Sequence, residues 1–355
     1  MKHPPLHAGL GPEDLDDILV RLGFEDVVKA RRLDPLKPRH FLLIVERVAK
    51  ALRNVTQSSE SEAVAGALNA LDVDWANVSA SKINEVIGAA QNQLSAVAQQ
   101  VMPRVTEVFE SRAGALVKDT KVSAIQRFSL DIGADLSATD ERIAEFARDT
   151  SSLFVRDAYG LRAEEFSVRA RGLVAEGLES GLGRDAIAAS IESTVTEGAL
   201  ARGMNYWRNI SSIFTSRARN NTQIAALEEA AVETYRWESV MDGATSSICR
   251  MLHGTEWSVS RAAEHMRSGF ALDDPEDIVD HSPFVQEGSD DGQAVLYFNR
   301  KGERHVVADI LDSGVGERDK VGTYKPRMTQ EELLAAGVQF PPAHGNCRST
   351  VTAVA

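Results

Sequence analysis

A change in hydrophobic period restricts this chain more than any other feature. From about residue 80 to 200, apolar side chains return every three or four positions. Ile83, Val86, Ile87, Ala90, Leu94, Val97 and Val101 mark one buried stripe of a helix. Pro103 is expected to kink or end that helix, because its ring removes an N–H and crowds the preceding turn. Further helices are expected over 138–150, 158–177 and 186–195, the last restarting after Gly181-Leu-Gly183, and a long helix over 207–231 carries Ile210, Ile213, Phe214, Ile224 and Leu227 on its apolar side. After Val232 the period falls to two. Thr234 to Val240 alternates, and 294–298 and 304–307 read as two strands around Asn299-Arg-Lys-Gly302. Helices first and strands afterwards predict an α+β chain: an extended, mostly helical N-terminal region followed by a small α+β C-terminal domain.

The 355 residues suffice for two or three domains. Residues 1–60 read as an N-terminal helical unit, with a helix start at Gly11-Pro12-Glu13-Asp14 and a second helix near Phe41 to Leu52. The hydroxyl-rich stretch 54–62 is expected to be a linker, with a helical body over 61–200 and the C-terminal domain over 201–355. The longest aliphatic run falls far short of the ~20 residues a membrane span needs, and Met1-Lys-His-Pro-Pro lacks an apolar signal core. Synthesis in the cytoplasm and no membrane partner are therefore expected.

The formal charge of −13 argues against coating DNA through bulk charge. One stretch runs against that sign. Between Glu197 and Glu228 there is no acidic residue, while Arg202, Arg208, Arg217 and Arg219 add four positive charges near Tyr206 and Trp207. These arginines form a candidate nucleic-acid or partner patch; the alternative is a helix with arginines on its wet face and aromatics in the core. The segment from Leu272 to Gly292 is acidic and turn-rich, which suits a solvated loop or a cation site.

The two cysteines, Cys249 and Cys347, lie in the most punctuated segments of the chain. Two thiols can close a disulfide, hold a metal together with an imidazole, or stay separate and buried; a reducing compartment favours the metal or free thiols. Cys249, His344 and Cys347, with Asp242 or His253 as a fourth, make a candidate ligand set for zinc. Arg348, directly after Cys347, is expected to favour thiolate. The chain carries no His-Glu-x-x-His, phosphate-binding Gly-x-x-x-x-Gly-Lys or Gly-x-Ser-x-Gly pattern. No catalytic constellation is apparent beyond a Cys249/His344 pair of the kind used in cysteine hydrolases.

Asp242-x-x-Thr245-x-x-x-Cys249-x-x-Leu252-x-Gly254, followed by Pro341-Pro342-x-His344-x-Asn346-Cys347-Arg348, resembles the head-morphogenesis domain of phage minor head proteins, the Mu F-like family. The helix holding Arg217, Asn221 and Thr222, and Tyr235-Arg-Trp237 after it, are similar to the family's approach to its first motif. The likeness covers roughly residues 200 to 355. Two positions depart from it: Ser246 stands where many relatives place a second Cys, and His253 where many carry Asp. The resemblance implies a phage or prophage minor head (capsid) protein located in the virion head. Its expected partners are the portal protein, the major capsid or scaffold protein, and DNA. Thr245, Gly254, Pro341, Pro342, Asn346 and Arg348 would be structural motif residues. The rival expectation is a metal-dependent hydrolase or toxin-like effector carried in the head.

Overall fold

The computed structural model describes residues 33–196, 203–318 and 320–354. The helix expected to begin at Gly11-Pro12 lies outside the described residues, as does Arg202. Helix α1 (Pro38–Leu71) opens with proline in its first turn, where a missing N–H costs nothing. Phe41, Val45, Val48, Ala49 and Leu52 form its buried stripe. The stretch expected to be a linker at 54–62 belongs to this helix. Three of its polar residues, Thr56, Ser59 and Glu60, are buried on the packed side of the helix: Thr56 bonds back to the Arg53 carbonyl at 3.3 Å, and Glu60 accepts from the Tyr159 hydroxyl at 2.6 Å.

Helix α2 (Ala80–Phe128) starts at Ser79, whose side chain accepts from the Lys82 N–H. Its 49 residues span about 74 Å at the helical rise. Pro103 neither ends nor divides it. Val97, Val101 and Val105 are fully buried on both sides of the proline, so packing along one stripe outweighs one lost backbone bond. Helix α3 (Ala138–Glu179) joins the two helices expected over 138–150 and 158–177, since Leu153 and Val155 between them are buried in the same core. Helices α4 (Arg184–Thr194) and α5 (Met204–Glu229) follow close to their expected places.

Helix α5 packs against α1, α2 and α3. Its first half contributes Trp207, Ile210, Phe214 and Ala218 to the core of the helical bundle. Its second half contributes Ile224 and Leu227 to a separate core built with Tyr235, Trp237, Leu296 and Val351. Helix α5, which begins just after the boundary expected near residue 200, therefore serves both units.

The second unit holds two antiparallel sheets. Strand β1 (Thr234–Glu238) lies between β2 (Glu256–Ser258) and β7 (Thr350–Val354), with Tyr235 opposite Ala353 and Trp237 opposite Val351. Alternation along β1 buries Tyr235 and Trp237, as a period of two requires. Short helix α6 (Ser247–Leu252) connects β1 to β2, and helices α7 (Val259–Phe270) and α8 (Ile278–His281) follow. The other sheet runs in chain order: β3 (Gln286–Asp290), β4 (Gln293–Arg300), β5 (Glu303–Asp312) and β6 (Thr323–Pro326), after which α9 (Gln330–Ala335) leads toward β7. The expected hairpin is β4 and β5, closed by Lys301 and Gly302, both with positive φ, as a two-residue primed turn demands. The fold is α+β, as the change of period implies. No helix among the described residues is long and apolar enough to cross a membrane.

A buried ion pair ties three of the helices together. Lys121 of α2 donates to Asp140 of α3 and to Glu229 at the end of α5, each at 2.9 Å. Lys121 is 1% and Asp140 2% exposed, whereas Glu229 is 43% exposed. Asp140→Ala should cost about 3 kcal/mol, because it leaves a buried ammonium short of its best partner, and Glu229→Ala less than ~1 kcal/mol. Urea unfolding of the two variants checks this; equal losses would contradict it.

Candidate metal centre

The pairing of β7 with β1 decides where the two cysteine motifs meet. That register carries residues 344–349 past the turn that leaves β1 at Ser239. Polar side chains on α5 fix the arriving backbone. Arg219 donates to the carbonyls of Arg348 at 3.2 Å and Ser349 at 2.5 Å. Gln223 donates to the Val351 carbonyl at 2.8 Å and accepts from the Thr350 hydroxyl at 2.6 Å. From the other side, the Ser239 hydroxyl donates to the Cys249 carbonyl at 2.7 Å and lies 3.1 Å from the Ser349 hydroxyl.

Cys249, His344 and Cys347 converge. Their ligand atoms all lie within 4.8 Å of one another, an arrangement that can hold a metal ion. The sulfurs are 3.7 Å apart, and Cys249 Sγ is 3.2 Å from His344 Nε2. Both cysteines are free and buried, and His344 is half-buried. Charge is shared unevenly. Cys249 is held protonated by the hydrogen bond it gives to Cys347, reinforced by burial. Burial opposes ionisation of Cys347 too, yet the Cys249 thiol and the His344 ring outweigh it and draw Cys347 toward thiolate. His344 is buried enough to favour the neutral ring, and the facing Cys347 sulfur reverses this and raises its pKa. A sulfur already inclined to ionise, beside an imidazole, is a ready donor set for a divalent cation.

Two candidate ligands are used elsewhere. Asp242 does not join the cluster, because Arg348 occupies both of its carboxylate oxygens at 2.7 and 2.6 Å. The Ala244 N–H and the Thr245 hydroxyl add to the same carboxylate. Arg348, expected to act on the neighbouring thiol, is thus directed at Asp242. His253 accepts from the Ser239 N–H through Nδ1 at 3.1 Å and points into backbone. Ser246, in the place of a further thiol, has its hydroxyl 2.9 Å from His344 Nε2.

The motif residues set the geometry of the loops. Thr245 accepts from the Asp242 N–H and donates to the Val240 carbonyl, closing the turn before α6. Gly254 follows α6 at φ 80°, which a side chain would resist. Pro341 and Pro342 precede His344 through a cis peptide bond, Gly345 sits where a Cβ would strike Asn209 of α5, and Asn346 is exposed at the rim. The arginine patch is not assembled. Arg217 and Arg219 are 4% and 1% exposed, and Arg208 is paired with Glu46 of α1 at 2.7 Å. The wet-face alternative describes Arg208, which is exposed beside buried Trp207, but not Arg217 or Arg219.

Sequence reasoning missed Arg250. Its guanidinium is fully buried and donates to four carbonyls, those of Asp242, Thr245, Glu317 and Lys320. It fastens the first motif to the loop before β6. The available signal was a charged residue beside Cys249 on a short helix with little exposed face.

No protein-family model, curated protein or solved structure matches the chain.

Divalent metal uptake should separate the two roles. Cys347→Ala should abolish it, while Asp242→Asn should retain it, measured by cobalt thiolate absorption and metal stoichiometry. Equal loss in both variants would return Asp242 to the ligand set. Asp242 also has a pH signature. Its hydrogen bonds from Arg348 hold its pKa well below the usual carboxylate range, so the pair stabilises the fold above the unfolded carboxylate pKa near 4. That contribution should fade as pH falls through the folded value. The stability gap between wild type and Asp242→Asn should therefore be widest near pH 6 and shrink below pH 4, as followed by thermal unfolding.

Proposed function

We propose that this protein is a minor head protein of a phage or prophage, associating with the portal and the major capsid or scaffold protein while the head assembles. The observation that carries this reading is the convergence of the two distant motifs. Asp242 meets Arg348, and Cys249 meets His344 and Cys347, in a unit attached to a bundle of unusually long helices. The residues that give the chain its family likeness thus act on one another as one clasp. A helical bundle of this length, with Leu161 and Val168 exposed seven residues apart along α3, supplies the surface for docking. Burial of Arg217 and Arg219 takes two of the four arginines of the candidate patch away from any nucleic acid.

We propose zinc as the metal. Two thiolates at ~2.3 Å from a tetrahedral zinc ion stand roughly 3.8 Å apart, and the two sulfurs here are 3.7 Å apart. Zinc would staple the segment before β7 to α6 and contribute folding energy. A second reading is favoured by one feature: only three ligand residues group together among the described residues, and zinc sites that keep a fourth position for water are catalytic more often than structural. That reading is a metal-dependent hydrolase or effector carried in the head. Nearly complete burial of both sulfurs favours the structural role.

The test is affinity capture of the tagged full-length chain from an induced lysate of a strain carrying the gene. Portal and capsid proteins are expected to copurify. Leu161→Asp with Val168→Asp should reduce portal recovery at least tenfold without loss of the folded state. Undiminished recovery would remove the helices as the docking element. Absence of head proteins together with zinc-dependent hydrolysis would favour the second reading.

A further inference from the structure

Helix α5 buries a second guanidinium that no carboxylate answers. Arg217 is 4% exposed, its Nη1 is buried with no hydrogen-bond partner, and no ion pair reaches it among the described residues. What it meets is aromatic: its guanidinium carbon lies 5.2 Å from the ring centre of Phe154 and 5.8 Å from that of Phe284. Ring faces attract a cation but do not accept its N–H groups in the way an anion does. Burial lowers its pKa to about 9, which leaves it charged at neutral pH.

A cavity of about 20 Å³ opens beside it, lined by Arg217, Asn221 one turn on, His265, His281 and Phe340 and Pro342 of the loop before His344. Asn221 is buried and lines the same cavity, so a second polar group faces this space. The histidines do not supply a counter-charge. Their rings stack at 4.0 Å, and the Ser282 hydroxyl bridges His265 Nε2 and His281 Nδ1 at 3.0 and 2.9 Å. Burial above all holds both rings neutral, with pKa values of about 3 and about 4. The nearby Arg300 adds to the positive field on them.

We infer that this cavity is a binding site for a small monovalent inorganic anion of the size of chloride, held by Arg217 and Asn221. Size and charge together lead there. The volume suits about one water-sized body, which excludes phosphate and carboxylate ligands. A buried cation with no counter-ion is costly, and a water supplies only a dipole where a halide supplies a full charge. Because Phe340 and Pro342 form part of the wall, the anion would also brace the loop that delivers His344 to the metal ligands. This inference is independent of the head-protein reading.

Two measurements on the full chain test it. Crystals soaked in sodium bromide should show an anomalous peak within hydrogen-bonding reach of Arg217 Nη1. Thermal unfolding in sodium chloride should lie a few degrees above that in sodium gluconate at equal ionic strength, and Arg217→Met should lose that increment. Sodium phosphate stabilises by exclusion from the protein surface, so its increment should be the same in wild type and Arg217→Met. A water in place of bromide in the cavity would overturn the inference, as would an equal chloride increment in Arg217→Met or a phosphate increment lost in that variant. The bromide experiment uses the wild-type chain, so it decides even if the variant does not fold.

Discussion

The structure depends on side chains of α5 taking up the backbone carbonyls of the last strand. Arg219 and Gln223 are two of the several polar residues that this helix buries. Each would be expensive without a partner. The carbonyls of Arg348, Ser349 and Val351 are those partners, and in meeting them the chain fixes the position of β7. From that placement follows the register against β1, and from the register the approach of Cys347 and His344 to Cys249. The three candidate ligands are brought together largely by contacts that their side chains do not make.

Around this seam the polar residues divide into separate circuits. Arg348 and Asp242 satisfy each other, Arg250 gathers four carbonyls, and the two cysteines with His344 share protons among themselves. Arg348 and Arg250 each have their own acceptors, and the two sulfurs are left free of competing arginine or carboxylate partners. A carboxylate loose in this space would compete for the cation. Arg348 removes the one that sequence spacing had offered.

How much of this was legible in the sequence varies with the kind of signal. The helix stripe through Val97 and Val101, the strand alternation around Tyr235 and Trp237, and the turn at Lys301-Gly302 all followed from local period and turn chemistry. The convergence of Cys249, His344 and Cys347 was legible too, because cysteines and a histidine in two punctuated loops suggest a shared cluster. The failures share a cause. Pro103 and the polar 54–62 stretch look like breaks only while tertiary packing is ignored; burial along a long stripe overrides both. Arg217 and Arg219 were read as solvent-facing because charge is usually wet, and Asp242 as a ligand because spacing cannot show that Arg348 reaches it first. Composition reports what a side chain prefers on average, whereas partners from distant parts of the chain decide what it does.

Helix α5 runs without interruption from one hydrophobic core into the other, over 26 residues or about 39 Å. Such a shared element acts as a mechanical strut. Tension or torque applied to the far end of the bundle passes along a single ladder of hydrogen bonds to Arg219 and Gln223, and from there to the strand that seats the cysteines. A pull on the long helices would be felt at the clasp as displacement of β7, and fastening the clasp would in turn stiffen the bundle that carries it.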